Sequence, residues 1–166
     1  TGDLAAHHLA MPVDKEDAKD TYGLLLESFG YVNQLLAQKF PDTLILPAFG
    51  NNDTKYHYQP TFDADKQVFY PGFYQDWFLK HPNNAGLTNL DEIGAALGQG
   101  GFYKTDLIAD SLTLIAVNSL QFNNKNNHKS QAEIDAQLAF VREALEAAKP
   151  NQRFLLMMHI YESCDY

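Results

Sequence analysis

The sequence has 166 residues and a formal net charge of −9, with 45% hydrophobic and 20% charged side chains. This composition is typical of a globular chain with one ordinary core, and it excludes a disordered or fibrous protein. The negative charge argues against binding to nucleic acid or to an anionic lipid surface, because both are polyanions. No run reaches the roughly 18 consecutive apolar residues of a membrane span, so no transmembrane segment is predicted.

The first part of the chain predicts a strand end, a helix and a strand. Residues 1–12 are interpreted as the end of a strand followed by a loop, and residues 14–40 as a helix that Pro41 ends. Apolar residues recur in this helix at three- and four-residue steps and predict one buried face. They are Tyr22, Leu25, Leu26, Phe29, Val32, Leu35 and Leu36. The run TLILPAF at 43–49 predicts a short buried strand that leads into Gly50.

The middle of the chain, residues 54–100, is punctuated by proline and glycine and predicts mostly loop. Within it, His57 is predicted to be an exposed loop residue rather than part of a substrate pocket. Two short helices are predicted, over 70–81 and 90–97. An aromatic cluster lies in and beside the first of them: Phe69, Tyr70, Phe73, Tyr74, Trp77 and Phe78. Its spacing favours a helix that packs on the core over an apolar wall for a lipid or a nucleobase.

The last part predicts two strands, a helix and a further strand. Residues 101–106 and 111–119 predict strands joined by a tight turn near Asp110. Residues 130–149 predict a helix, and residues 153–159 predict the last strand. The buried stripe of the helix is predicted to be Ile134, Leu138, Val141 and Leu145. Helices that alternate with strands in this way predict an α/β domain built around a sheet.

Three of the predicted strands end in a side chain suited to binding a metal ion, namely Asp3, Asn51 and His159. Sites in α/β sheets gather just outside the carboxyl ends of the strands. A carboxylate, an amide oxygen and an imidazole together form a ligand set that suits Zn, Mn or Fe. Each residue alone has an ordinary structural explanation, since Asp and Asn beside Gly are common turn residues. Their shared position at strand ends favours a metal site.

The motifs that contain these residues resemble those of the calcineurin-like metallophosphoesterases. Residues 1–7, TGDLAAH, are similar to the GD-x-x-x-H form of the acid-sphingomyelinase-like phosphodiesterases and the endopolyphosphatases. Residues 50–53, GNND, resemble the family's GN-H-[DE] motif, and residues 158–160, MHI, fall where the family has Gly-His-Ile-Pro-Pro. Residues 100–103 and 114–118 resemble the strand pair of that branch. The resemblance spans nearly the whole chain.

The resemblance implies a fold and a set of roles. The fold would be a calcineurin-like sandwich of sheets flanked by helices, and residues 1–166 would form the central part of a single metallophosphoesterase domain, incomplete at both ends. Asp3 would bridge two metal ions, and Asn51 and His159 would bind the second ion. His7 would be the catalytic residue at the leaving group. Asn52, where the family usually has histidine, would bind the substrate phosphate without acting as an acid.

The implied activity is hydrolysis of phosphodiester or phosphoanhydride bonds by a hydroxide activated between two divalent or trivalent ions, zinc first and Mn or Fe as alternatives. The substrate would be a phosphorylated small molecule, a lipid or polyphosphate. Two further motifs, Asp-x-His and Gly-His-x-His, would lie before residue 1 and after residue 166, so the isolated segment is expected to be inactive. The alternative is a non-catalytic phosphoesterase-like module. The resemblance alone implies the secretory pathway, with an extracellular, lysosomal or vacuolar location.

Overall fold

The structure is a computed structural model, and it describes residues 2–5 and 21–160. Its helices are α1 (Thr21–Lys39), α2 (Asp63–Tyr74), α3 (Leu90–Gly100) and α4 (Gln131–Glu146), and its strands are β1 (Tyr103–Ile108), β2 (Leu112–Ala116) and β3 (Arg153–Met157). A π-helical turn, Gln75–Leu79, continues α2, and a 3-10 turn, Ser119–Phe122, follows β2. The chain is therefore mixed α/β, as the alternation of patterns predicts.

The three strands form one sheet in the order β1-β2-β3. β1 and β2 are antiparallel and are joined by the predicted tight turn, in which Asp110 has a φ of 59°. β2 and β3 are parallel, with Ala116 opposite Met157, and α4 forms the crossover between them. Parallel strands end at the same edge of a sheet. The segments that follow Ala116 and Met157, including His159, therefore start from one edge.

The segment 43–49 is not a strand in the structure, and that prediction was wrong. Its backbone is hydrogen-bonded by side chains: Ile45 N donates to Asn84 Oδ1 at 3.1 Å, and Asn84 Nδ2 donates to Ile45 O at 2.6 Å. The Tyr103 hydroxyl donates to Pro47 O at 2.7 Å. Pro47 has no N–H to give to a neighbouring strand. The segment is thus a connection without regular secondary structure, held by side chains.

The predicted helices are present, with shifted ends. The helix predicted for residues 14–40 is described from Thr21 to Lys39, and residues 14–20 lie outside the described part of the chain. Its buried face is largely as predicted, although Leu35 is 40% exposed. The helix predicted at 70–81 begins earlier, at Asp63, and its last turn widens into the π-helical turn.

The aromatic cluster forms the centre of the core, which confirms the packing interpretation. Its fully buried members are Phe69, Tyr70, Phe73, Trp77 and Phe78, each at most 1% exposed. Phe73 meets Phe29 of α1 edge to face, with ring centroids 5.6 Å apart. Phe78 meets Tyr103 of β1 in the same way at 5.1 Å. The cluster thus joins α1, α2 and the sheet.

The buried face of α4 differs from the predicted stripe. Leu138 and Leu145 are 49% and 50% exposed, whereas Gln137 and Ala144 are buried. Gln137 Oε1 accepts a hydrogen bond from Asn118 N at 2.6 Å, and Gln137 Nε2 donates to Asn118 O at 3.2 Å. This pairing with the loop after β2 turns Gln137 inward, so the adjacent Leu138 faces outward. None of the helices in residues 21–160 is long and apolar enough to span a membrane.

Candidate metal centre

The three predicted metal ligands lie together in the structure. His159 Nε2 is 3.0 Å from Asn51 Oδ1 and 3.5 Å from Asp3 Oδ2. Asn51 and His159 are 108 positions apart in the sequence, so only the fold brings them into contact. The side chains of Asp3 and His159 are 29% and 22% exposed. The cluster of Asp3, Asn51 and His159, here called the ligand cluster, is therefore partly open to solvent.

Two glycines allow the loops to approach each other closely. A Cβ atom on Gly2, whose φ is 77°, would lie 2.6 Å from the ring of His159. A Cβ atom on Gly50 would lie 2.1 Å from the backbone nitrogen of Asp3. Asp3 itself has a φ of 51°, a left-handed conformation that costs energy for a residue with a side chain and is common at functional sites. The glycines of the GD and GN motifs thus have a direct steric role.

Asn52 orients the Asp3 carboxylate. Its backbone N donates to Asp3 Oδ1 at 3.0 Å, and its side-chain Nδ2 donates to Asp3 Oδ2 at 3.0 Å. The residue is 1% exposed. Its predicted contact with a substrate phosphate stays a prediction, and the role that the structure gives it is to hold the carboxylate in place.

Asp53 is a structural residue of the site to which the sequence interpretation gave no role. It is fully buried, and it accepts hydrogen bonds from Ala5 N at 2.8 Å and from Gly50 N at 2.7 Å. Burial raises the pKa of its carboxyl, and the two backbone N–H groups partly oppose this shift. One carboxylate thus joins the segment that carries Asp3 to the segment that carries Asn51. The signal in the sequence that could have indicated this role was the acidic residue at the last position of GNND.

The loop after the GNND motif returns to Asn51. The backbone N of Tyr58 donates to Asn51 O at 3.1 Å, and Tyr58 has a φ of 62°. His57 is exposed, as predicted, but its Nε2 lies 2.8 Å from Asn51 Nδ2. His57 is thus in direct contact with the ligand cluster, although the sequence favours an exposed loop residue over a place in a substrate pocket.

The atoms of the ligand cluster fit a metal ion in type and in spacing. Metal–ligand bonds of about 2.0–2.2 Å place neighbouring ligand atoms roughly 3 Å or slightly more apart. Among residues 2–5 and 21–160, no three His, Cys, Asp or Glu side chains form a group that could hold a metal ion, so the set depends on the amide oxygen of Asn51. His7, the predicted catalytic residue, lies outside the described part of the chain.

Comparisons with known proteins assign no family to the chain. No family model matches it, and no curated protein matches it. The function has to be inferred from the residues of the site.

Proposed function

We propose that this chain carries part of a two-metal phosphoesterase site, and that the intact protein hydrolyses phosphodiester or phosphoanhydride bonds. The observation that supports this most is the meeting of Asp3, Asn51 and His159 from three distant segments. The three residues belong to separate sequence motifs, GD, GNND and MHI, and they are in contact only in the folded chain. The proposed fold of the intact domain is the calcineurin-like sandwich.

In this proposal each described residue has a defined task. Asp3 Oδ2, Asn51 Oδ1 and His159 Nε2 hold the cations, which are Zn, Mn or Fe. Asn52 fixes both oxygens of the Asp3 carboxylate. When bound, two cations lower the pKa of a water molecule between them and neutralise charge on the phosphate. His7, four residues after Asp3, donates a proton to the leaving oxygen or, as the alternative, stabilises the phosphate in the transition state.

The substrate is a phosphorylated small molecule, a lipid or polyphosphate. A chain with a net charge of −9 repels such anions, so their attraction to the site has to come from bound cations. Asn52 gives a slight preference for polyphosphate, because the endopolyphosphatases that the GNND motif resembles also have asparagine at this position.

The test is the metal content of the intact protein, measured by elemental mass spectrometry, beside the Asp3→Asn variant. Asparagine tolerates the left-handed backbone of this position, so the exchange removes charge while keeping the local conformation. We expect about two ions per chain in the wild type, as in two-metal sites generally, and the loss of one or both in the variant.

A matched control is Asp110→Asn. Asp110 has nearly the same backbone conformation, with a φ of 59°, but it lies in the turn between β1 and β2 and pairs with Lys149. We expect it to keep the full metal content. Absence of metal in the wild type, even after reconstitution with Zn, Mn and Fe, would contradict the proposal and favour a non-catalytic phosphoesterase-like module.

A further inference from the structure

We propose that His57 is a positioning residue of the metal centre, which fixes the side-chain amide of Asn51 with its oxygen toward the metal. The inference rests on the proposed function, because it assumes that Asn51 Oδ1 binds a cation. It assigns a task to an exposed loop histidine that belongs to none of the motifs described above.

The first step concerns the amide group of Asn51. Its oxygen and nitrogen are similar in size, and only the oxygen can bind a cation. In the structure Oδ1 lies 3.0 Å from His159 Nε2, and Nδ2 lies 2.8 Å from His57 Nε2. An NH₂ group can only donate, so His57 Nε2 accepts and the ring carries its proton on Nδ1. With the His57 ring in this tautomer, a rotated amide would place its oxygen against the acceptor nitrogen, which is repulsive.

The second step concerns the loop that carries His57. Tyr58 N donates to the backbone oxygen of Asn51, and His57 contacts the side-chain amide of Asn51. The loop is therefore attached to both the backbone and the side chain of Asn51. Lys125 Nζ lies 4.4 Å from the centre of the Tyr58 ring, and Gln59 Nε2 donates to Lys125 O at 3.0 Å. The left-handed backbone of Tyr58 is therefore held by contacts from another loop. A fixed loop can fix the amide that it touches.

The third step is the size of the effect. Partners that orient metal ligands through hydrogen bonds typically contribute 10- to 100-fold to metal affinity. Without an acceptor at His57, the Asn51 amide can turn its NH₂ group toward the cation, where it provides no lone pair. The affinity for metal is then multiplied by the fraction of time that the oxygen faces the site, so a loss of about 10- to 100-fold corresponds to an oxygen that faces it for about 1–10% of the time.

The experiment measures the dissociation constant of Zn²⁺ in the intact protein by competition with a chelating dye. His57→Leu removes the acceptor, and His57→Gln retains one in its side-chain oxygen. We expect zinc binding that is about 10- to 100-fold weaker in the leucine variant, and an affinity within about threefold of the wild type in the glutamine variant. The absorption spectrum of the Co²⁺-loaded protein is expected to change only in the leucine variant.

The matched control is His128→Leu, since His128 is also exposed and also lies beside an aromatic ring, that of Phe62 at 4.8 Å. It should bind zinc like the wild type. Thermal unfolding of the metal-free proteins shows whether each variant folds. If the leucine variant unfolds at a lower temperature than the wild type, His57→Ala, which also lacks the acceptor, replaces it in the comparison.

The outcomes separate the inference from the proposed function. A wild type that binds zinc and a leucine variant that binds it equally well would overturn the positioning role alone. Equal losses in the leucine and glutamine variants would also overturn it, because the acceptor would then be irrelevant. A wild type that binds no metal would overturn both the inference and the proposed function.

Discussion

The aromatic core and the ligand cluster are held together by contacts of different kinds. In the core, Phe69, Phe73 and Trp77 are close in sequence and fully buried on one helical face. In the ligand cluster, single polar atoms of Asp3 and His159 meet Asn51 across long stretches of chain. Apolar packing depends on volume and buried area. A polar cluster depends on the placement of individual atoms, so the two regions should respond differently to substitution.

The largest expected effect is on the core. Trp77→Ala removes a side chain that is 0% exposed and should lower the free energy of unfolding by about 3–5 kcal/mol. Urea denaturation of the metal-free protein measures it. Val68→Ala is the control, because Val68 lies on α2, which continues into the π-helical turn of Trp77, and is 62% exposed. It should change stability by less than about 0.5 kcal/mol. Similar losses in both variants would contradict the central place of the cluster.

The second largest effect should be on the ligand cluster, and the aromatic core should be unchanged. Gly50→Ala places a Cβ atom 2.1 Å from the backbone nitrogen of Asp3, so the two segments have to separate. Overpacking of this kind costs about 1–3 kcal/mol. Metal affinity should be lost, while the near-ultraviolet circular dichroism of the buried aromatic rings stays unchanged. Retained metal binding in this variant would show that the close approach of the two loops is unnecessary.

A smaller effect depends on pH and on a buried histidine. Burial lowers the pKa of His81 below its ordinary value of 6.5. The unfolded chain therefore takes up this proton more readily, and the stability contribution is present above pH 6.5 and is lost as the pH falls below it. One proton contributes a slope of at most about 1.4 kcal/mol per pH unit.

The variant His81→Asn isolates this contribution. Asparagine offers an oxygen to the N–H of Asn83, which donates to His81 Nδ1 at 3.2 Å, but it does not titrate. Urea midpoints at pH 7.5 and 5.5 should differ less in the variant than in the wild type. An unchanged difference would mean that other groups cause the whole pH dependence.

The smallest effect is a gain in stability away from both regions. Gly98 lies exposed within α3, and a Cβ atom there would meet nothing within 4 Å. Gly98→Ala should raise the free energy of unfolding by about 0.5–1 kcal/mol, because alanine restricts the unfolded chain and favours helix. Gly98→Ala is also the control for Gly50→Ala, because both variants add a Cβ atom and only the one at residue 50 meets another atom. A loss of stability at Gly98 would indicate a constraint on this helix that the structure does not show.

Local periodicity predicted the parts of the fold that depend on local contacts. The aromatic cluster and the buried face of α1 follow three- and four-residue steps, which the sequence displays directly. Predictions of secondary structure and of buried faces failed where a polar side chain hydrogen-bonds to the backbone of a residue far away in the sequence. Asn84 satisfies the backbone of Ile45, 39 positions away, and the segment 43–49 needs no neighbouring strand. Gln137 pairs with the backbone of Asn118 and thereby exposes Leu138.

The residues that meet at the candidate site were predictable from the sequence, and the residues that hold them in place were not. Asp3, Asn51 and His159 lie together as predicted, although in the described part of the chain only His159 follows a strand and the segment before Asn51 is not one. The contacts of Asp53 and His57 depend on left-handed backbone at nearby non-glycine residues. Sequence patterns do not reveal such conformations outside glycine, so the contact of His57 with Asn51 was not predictable, whereas the acidic residue at the end of GNND was a signal for Asp53.

The separation of 108 sequence positions between Asn51 and His159 has a consequence for the order of folding. Contacts between distant segments close large loops and form after local helices and hairpins. The ligand cluster forms only after β3 has joined the sheet, so a metal ion at the proposed centre would not act as a nucleus for folding. Under the proposed function, metal binding would be a late step, and partly folded chains would not compete for the metal with chains that have completed the sheet.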